Sequence, residues 1–246
     1  MTKFTLLISA SLLLLTGCSP ESIKRTLDTV ERSIEEEEGL TSDEVALGLK
    51  EALKTGIRNA VQSSSRTDGF YKNPSLFIPF PEEAEKVKNT ALNLGMRTQV
   101  ERFEETLNRA AEEAVKEATP VFIKAITSMT IEDAFGLLRS DDSHAATAYL
   151  RSRTESELIA RFRPSVEEAI EQVELTKYWN PLSSAYNTAT TFTGGAPVNP
   201  DLTAYVTDRA IDGLFLQVAR EEEKIRENPT ARVSDLLRRV FGSVDK

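Results

Sequence analysis

The chain has 246 residues, of which 40% are apolar, 28% charged and 7% aromatic. This suits a folded domain with a sizeable core and excludes wholesale disorder or a fibrous repeat. The 30 Lys and Arg are outnumbered by 39 Asp and Glu, a formal net charge of -9, so no nucleic-acid partner is expected: phosphates would be repelled. One Cys and one His exclude an intrachain disulfide, a zinc finger and a paired-His metal site.

Met1-Thr2-Lys3 is a short basic start, and residues 4–15 form an apolar run broken by Thr5, Ser9 and Ser11. As a helix the run would span about 18 Å, short of the ~30 Å hydrocarbon core, so residues 1–17 read as a signal peptide rather than a membrane span. Leu15-Thr16-Gly17-Cys18 resembles the lipobox of bacterial lipoproteins. Small residues before the scissile bond admit a signal peptidase, and the Cys18 thiol can take a diacylglyceryl thioether. The resemblance implies cleavage before Cys18, lipidation of that residue, and acylation of the new amine by palmitate-type chains. Two or more chains make a stable membrane anchor. Ser19, where an Asp would mark inner-membrane retention, favours the periplasmic face of a Gram-negative outer membrane. Cleavage removes Lys3 and no acid, leaving -10. Residues 18–40 are polar and end in Glu35-Glu36-Glu37-Glu38, which reads as an acidic tether behind the lipid.

From residue 41 helical signals dominate. Thr41 and Glu44 form a T-x-x-E capping box, followed by the stripe Val45, Leu49, Leu53, Ile57 and Val61. Residues 68–81 break the pattern with Pro74, Pro79 and Pro81 between Phe70, Tyr71, Leu76, Phe77, Ile78 and Phe80, and read as an extended apolar loop packed along helices. Pro81 can open a helix that Gly95 stops. Val100, Phe103, Leu107, Ala110, Ala111, Ala114 and Ala118 make a second stripe, with Glu105–Arg109 and Glu112–Lys116 pairs on its outer face. A short apolar helix follows Pro120, and Thr130 with Asp133 resembles another cap. Ser143 can cap a helix bearing Tyr149 and Leu150, and Thr154 with Glu157 resembles a further box; Pro164 should kink or restart that helix, which continues through Val166, Ile170 and Val173. Caps at this spacing predict several short helices. Residues 177–201 read as irregular. One central buried helix carries Val206, Ala210, Leu214 and Val218, with Gly213 explained by close approach of another helix. Val233, Leu236, Leu237, Val240 and Phe241 form a terminal amphipathic helix. The expected architecture is all-α: a single bundle-like domain over residues 41–246 with extended apolar loops.

Several stretches together resemble the bacterial domain of unknown function 4197 family. Among them are residues 48–53 (Gly-Leu-Lys-Glu-Ala-Leu), Asp68-Gly69-Phe70, residues 129–134 (Met-Thr-Ile-Glu-Asp-Ala), Tyr205-Val206-Thr207, Gly213-Leu214-Phe215 and residues 229–232 (Pro-Thr-Ala-Arg). Most members are Gram-negative envelope proteins, which supports the outer-membrane reading. The family carries no assigned activity and hence no catalytic residues.

His144 is the only His, and Asp141-Asp142-Ser143 before it reads as a helix cap rather than a metal site. No G-x-S-x-G elbow is present. Glu112, Glu113, Glu132 and Asp133 could pair for acid–base work, but among 39 acids they read as salt-bridged surface. No cofactor or metal ligand set is assigned. Tyr178, Trp179, Tyr186 and Phe192 form a candidate interaction loop: either they pin an irregular segment onto the core or they offer a surface to a protein or glycan. The leading expectation is a lipid-anchored, non-enzymatic envelope protein acting through protein–protein contact or structural support. A helical carrier for an apolar ligand or lipid is the alternative, and an uncharacterised enzyme the third reading.

Overall fold

The computed structural model describes residues 41–172, 175–195, 197–198 and 201–227. Cys18, the acidic tether and the terminal helix expected after Pro229 lie outside these residues. The described helices are α1 (Ser42–Ser65), α2 (Glu85–Asn93), α3 (Arg97–Ala114), α4 (Ala118–Ser128), α5 (Ile131–Leu138), α6 (Ala145–Gln172), α7 (Leu175–Thr193) and α8 (Leu202–Glu227). No strand occurs among the described residues, so the fold is all-α. Within this helical domain α8 lies against α6, α1 and α3. α4 bridges α1 and α6, and α2 and α7 pack together and onto α3.

Local chemistry sets the boundaries. The Thr41 hydroxyl accepts the Glu44 N–H while the Glu44 carboxylate accepts the Thr41 N–H, the reciprocal box that starts α1. Thr130 and Asp133 repeat it at α5. Gly95 takes a positive φ of 77° just past α2, as a stop signal requires.

Three boundaries differ from the sequence reading. Thr154 does not cap a helix. It lies inside the 28-residue α6, almost fully buried, with its hydroxyl donating to the Leu150 carbonyl. Pro164 lies inside α6, in a helix expected to continue past it, whereas Pro181 lies inside α7, where an irregular segment was expected. Both rings are exposed, so the strain they impose faces solvent. Ser183 back-bonds to the carbonyls of Trp179 and Asn180. The segment expected to be irregular is therefore helical through Thr193, and several of the helices are long rather than short. Finally, α6 is capped from a distance. Buried Glu222 of α8 accepts the N–H groups of Ala146 and Thr147 and the Thr147 hydroxyl. It takes the place expected for Ser143, and a carboxylate suits the positive end of a helix. Arg226 pairs with Glu222 at 2.9 Å and donates to the Leu137 carbonyl.

The apolar loop is buried, as expected. Leu76, Ile78 and Phe80 alternate inward, and Phe70 is fully enclosed. Burying extended backbone in a helical protein leaves N–H and C=O groups without a ladder. Side chains of α3 supply the partners. Asn108 accepts the Ile78 N–H at 2.8 Å and donates to the Ile78 carbonyl at 2.9 Å, as a neighbouring strand would. Glu112 accepts the N–H groups of Phe70 and Tyr71 at 3.0 and 3.1 Å. Its other oxygen takes Arg109 at 2.7 Å, and Arg109 reaches on to Asp68 at 2.7 Å. Asp68 sits in the left-handed region at φ 67°, where Asp is among the better-tolerated residues. Lys72 and then Arg109 hold its carboxyl below the ordinary aspartate value. Glu112 is thus not the surface partner of Lys116; that role falls to Glu113, 2.6 Å from the Lys116 ammonium. Gly213 is explained by this loop rather than by another helix, because the Phe70 ring and Leu76 press against it.

Candidate functional site

The helix that follows Thr130 starts beside the C-terminal half of α4, and α6 runs past both. Between them lies an open cleft of about 340 Å³. Its apolar part is Val121 and Ala125 of α4; its polar part is contributed by all three elements. On α6 the sequence places Tyr149, Arg153 and Glu157 four residues apart, which puts them in one row on one face. The opposite wall brings Lys124, Ser128, Thr130 and Asp133.

The charges here engage one another. Lys124 lies 3.0 Å from Glu157, and Arg161 reaches the same carboxylate at 3.4 Å. The hydrogen bond from Lys124 lowers the Glu157 pKa. Asp133 accepts from the Thr130 N–H, the Thr130 hydroxyl and the Tyr149 hydroxyl, the last at 3.2 Å. These donors hold its carboxyl below the ordinary aspartate value, with the Thr130 N–H the largest cause. Burial, then the Asp133 charge, push the Tyr149 hydroxyl above the ordinary tyrosine value. Arg153 lies over the Tyr149 ring, 5.4 Å from its centroid. Its charge helps to lower the Asp133 pKa, yet no ion pair within 4 Å involves it among the described residues.

Of the residues singled out from sequence as candidates for chemistry or recognition, Asp133 alone lines this cleft. Glu112 is buried under the loop, Glu113 pairs with Lys116, and Glu132 is exposed beside the α5 cap. His144 lies outside the cleft, its Nε2 3.3 Å from Glu223. Its backbone N–H is taken by the Asp142 carboxylate in the turn before α6, so the acidic run shapes the entry to the helix while the cap expected of it comes from Glu222. Among the described residues no three His, Cys, Asp or Glu side chains gather to hold a metal ion.

The aromatic group divides. Trp179 and Tyr186 are buried; the Trp179 ring lies 5.3 Å from Phe103 and 6.5 Å from Phe80. Tyr178 is half-buried, while Phe192 is 86% exposed near the end of α7. All four belong to a helix rather than a loop. From within that helix Asn187 accepts the Val198 N–H and donates to the Val198 carbonyl, the same clamp that Asn108 applies to Ile78.

Lys124, Tyr149, Arg153 and Glu157 were missed as a group by the sequence reading. The row on α6 was the available signal; the wall from α4 and α5 had none, because its register against α6 is set by tertiary packing. No helix among the described residues is long and apolar enough to cross a membrane. No curated protein and no solved structure matches the sequence. The family model described as a protein of unknown function (DUF4197) matches residues 39–242, and the chain belongs to that family.

Proposed function

We propose that the chain is a lipid-anchored envelope protein, held through Cys18 at the periplasmic face of the outer membrane, that works by non-covalent recognition in the cleft between α4, α5 and α6. The observation that carries the recognition role is how its carboxylates are engaged. Buried Glu112 and Glu222 are saturated by backbone N–H groups and arginines. In the cleft, Asp133 and Glu157 are stabilised as anions by their donors. A general acid or base at neutral pH needs the opposite, a carboxyl pushed upward. Charges of both signs gathered in a concave site suit polar recognition instead. The lipobox residues support the anchor. An apolar carrier has less support: among the described residues, an apolar pocket beside Leu49, Leu53 and Leu138 holds about 20 Å³, room for about one water molecule.

The test is photocross-linking in intact cells from position 128, an exposed cleft position, with position 101 on α3 as control. Recognition in the cleft predicts a discrete adduct from position 128 that is missing at 101. The adduct should vanish when Lys124 and Arg153 are both changed to Gln. The same diffuse pattern from both positions would count against a cleft partner.

A further inference from the structure

The cleft has a selective lining. Two cations, Lys124 and Arg153, face two anions, Asp133 and Glu157, so its formal charge is zero. A polyanion such as phosphate would meet both carboxylates, and a polycation both bases. A ligand carrying one charge of each sign avoids either cost. The four groups are not equally committed. Asp133 already accepts three hydrogen bonds. The Arg153 guanidinium carbon lies 5.4 Å from the Tyr149 ring centroid, and no ion pair within 4 Å among the described residues takes its fork, which can receive a carboxylate bidentately. Glu157, one turn along α6, has one oxygen on Lys124 and the other only at 3.4 Å from Arg161. Ser128 and Thr130 add hydroxyls, and Val121 and Ala125 a small apolar floor.

We propose that the cleft binds a small zwitterion of the free-peptide class, its carboxylate on Arg153 and its ammonium on Glu157. Residues four apart on a helix hold their Cβ atoms about 5–6 Å apart, and long side chains widen that span. The termini of an extended di- or tripeptide lie roughly 6–10 Å apart, which matches. The peptide amides then face the hydroxyls of Ser128 and Thr130. The inference rests on the cleft being the binding surface proposed above, but not on the anchor.

The test is an amide NMR titration of the full chain in detergent micelles, read at Ser128, Thr130, Arg153 and Glu157. The probes are trialanine, N-acetyl-trialanine, trialanine amide and inorganic phosphate. Trialanine should give saturable shifts at these amides and bind about 10-fold more tightly than either blocked form, since each block removes one charge-assisted contact. Arg153→Gln should lose that preference over the amide, and Glu157→Gln the preference over the acetylated form, with helical circular dichroism unchanged. Equal binding of blocked and free peptide, tighter binding of phosphate, or no saturable shift with any probe would each overturn the proposal. Peptide binding without a cellular adduct from position 128 removes the partner reading alone. An adduct with no peptide preference removes this one alone.

Discussion

Replacing Glu112 with alanine should detach residues 68–81 from α3. The wild-type Glu112 residue is 4% exposed, and its carboxylate serves the N–H groups of Phe70 and Tyr71 through one oxygen and Arg109 through the other. Hydrogen bonds to a charged group contribute about 1.5–3 kcal/mol each, and a donor left bare in the interior costs about 1–3 kcal/mol. The Phe70 N–H is buried and has no replacement; the Tyr71 N–H, being part-buried, can recover water. Arg109 keeps Asp68. The expected loss is about 3–5 kcal/mol, a large share of a typical total of about 5–15 kcal/mol. Glu112→Gln keeps an oxygen for both N–H groups but turns an amide toward Arg109, and should cost about 1–2 kcal/mol. Urea unfolding followed by circular dichroism reads the loss as a lower helix midpoint. The sole Trp offers a second reading, because Trp179 stands beside Phe80 at the end of the loop, so its fluorescence should change at lower urea than the helix signal. An alanine variant within about 1 kcal/mol of the parent, with Trp179 and helix signals coincident, would refute the clamp.

Two glycines on packed helices should respond in opposite directions. A Cβ on Gly213 would fall 2.8 Å from the enclosed Phe70 ring, whereas one on Gly56 would meet Glu221 and Ile225 at 3.4 and 3.7 Å. Gly213→Ala should therefore destabilise by about 1–2 kcal/mol despite its helix propensity, and Gly56→Ala should stabilise by up to about 1 kcal/mol, both read by thermal unfolding. Thr130→Ala removes the acceptor for the Asp133 N–H and should cost about 1 kcal/mol in the same assay; no change would show the box to be dispensable. Because Asp133 titrates below the ordinary 3.8, its carboxylate favours the folded state above that value, and the contribution disappears as pH falls through the lower folded midpoint. A carboxyl-carbon NMR titration should place the folded midpoint below 3.8, and a midpoint at or above it would contradict the donor geometry around Thr130 and Tyr149.

Much of the fold was legible in periodicity. The stripes over Val45–Val61 and Val100–Ala118, the boxes at Thr41 and Thr130, and the stop at Gly95 depend on neighbours within one or two turns, which a sequence displays directly. Interactions spanning tens of residues were not legible. The Glu222 cap on α6 comes from some 75 residues away, and the clamps of Glu112 and Asn108 from 30 to 42. A buried structural carboxylate and a surface one look alike in a sequence until packing separates them, as it does Glu112 from Glu113. Thr154 shows the converse error: a T-x-x-E pattern fits a helix interior equally well when the hydroxyl can return its proton to the preceding turn. The cleft was hidden for a related reason. Its α6 row is periodic, but its other wall reaches that row only through the packing of α4 and the α5 cap.

The most direct measurement is incorporation of labelled fatty acid into the chain in its native cell, compared with Cys18→Ala. Anchoring at the sulfur predicts label in the parent, none in the variant, and release of the variant from the membrane fraction. Label retained by the variant, or a parent chain that stays unlabelled and soluble, would contradict it.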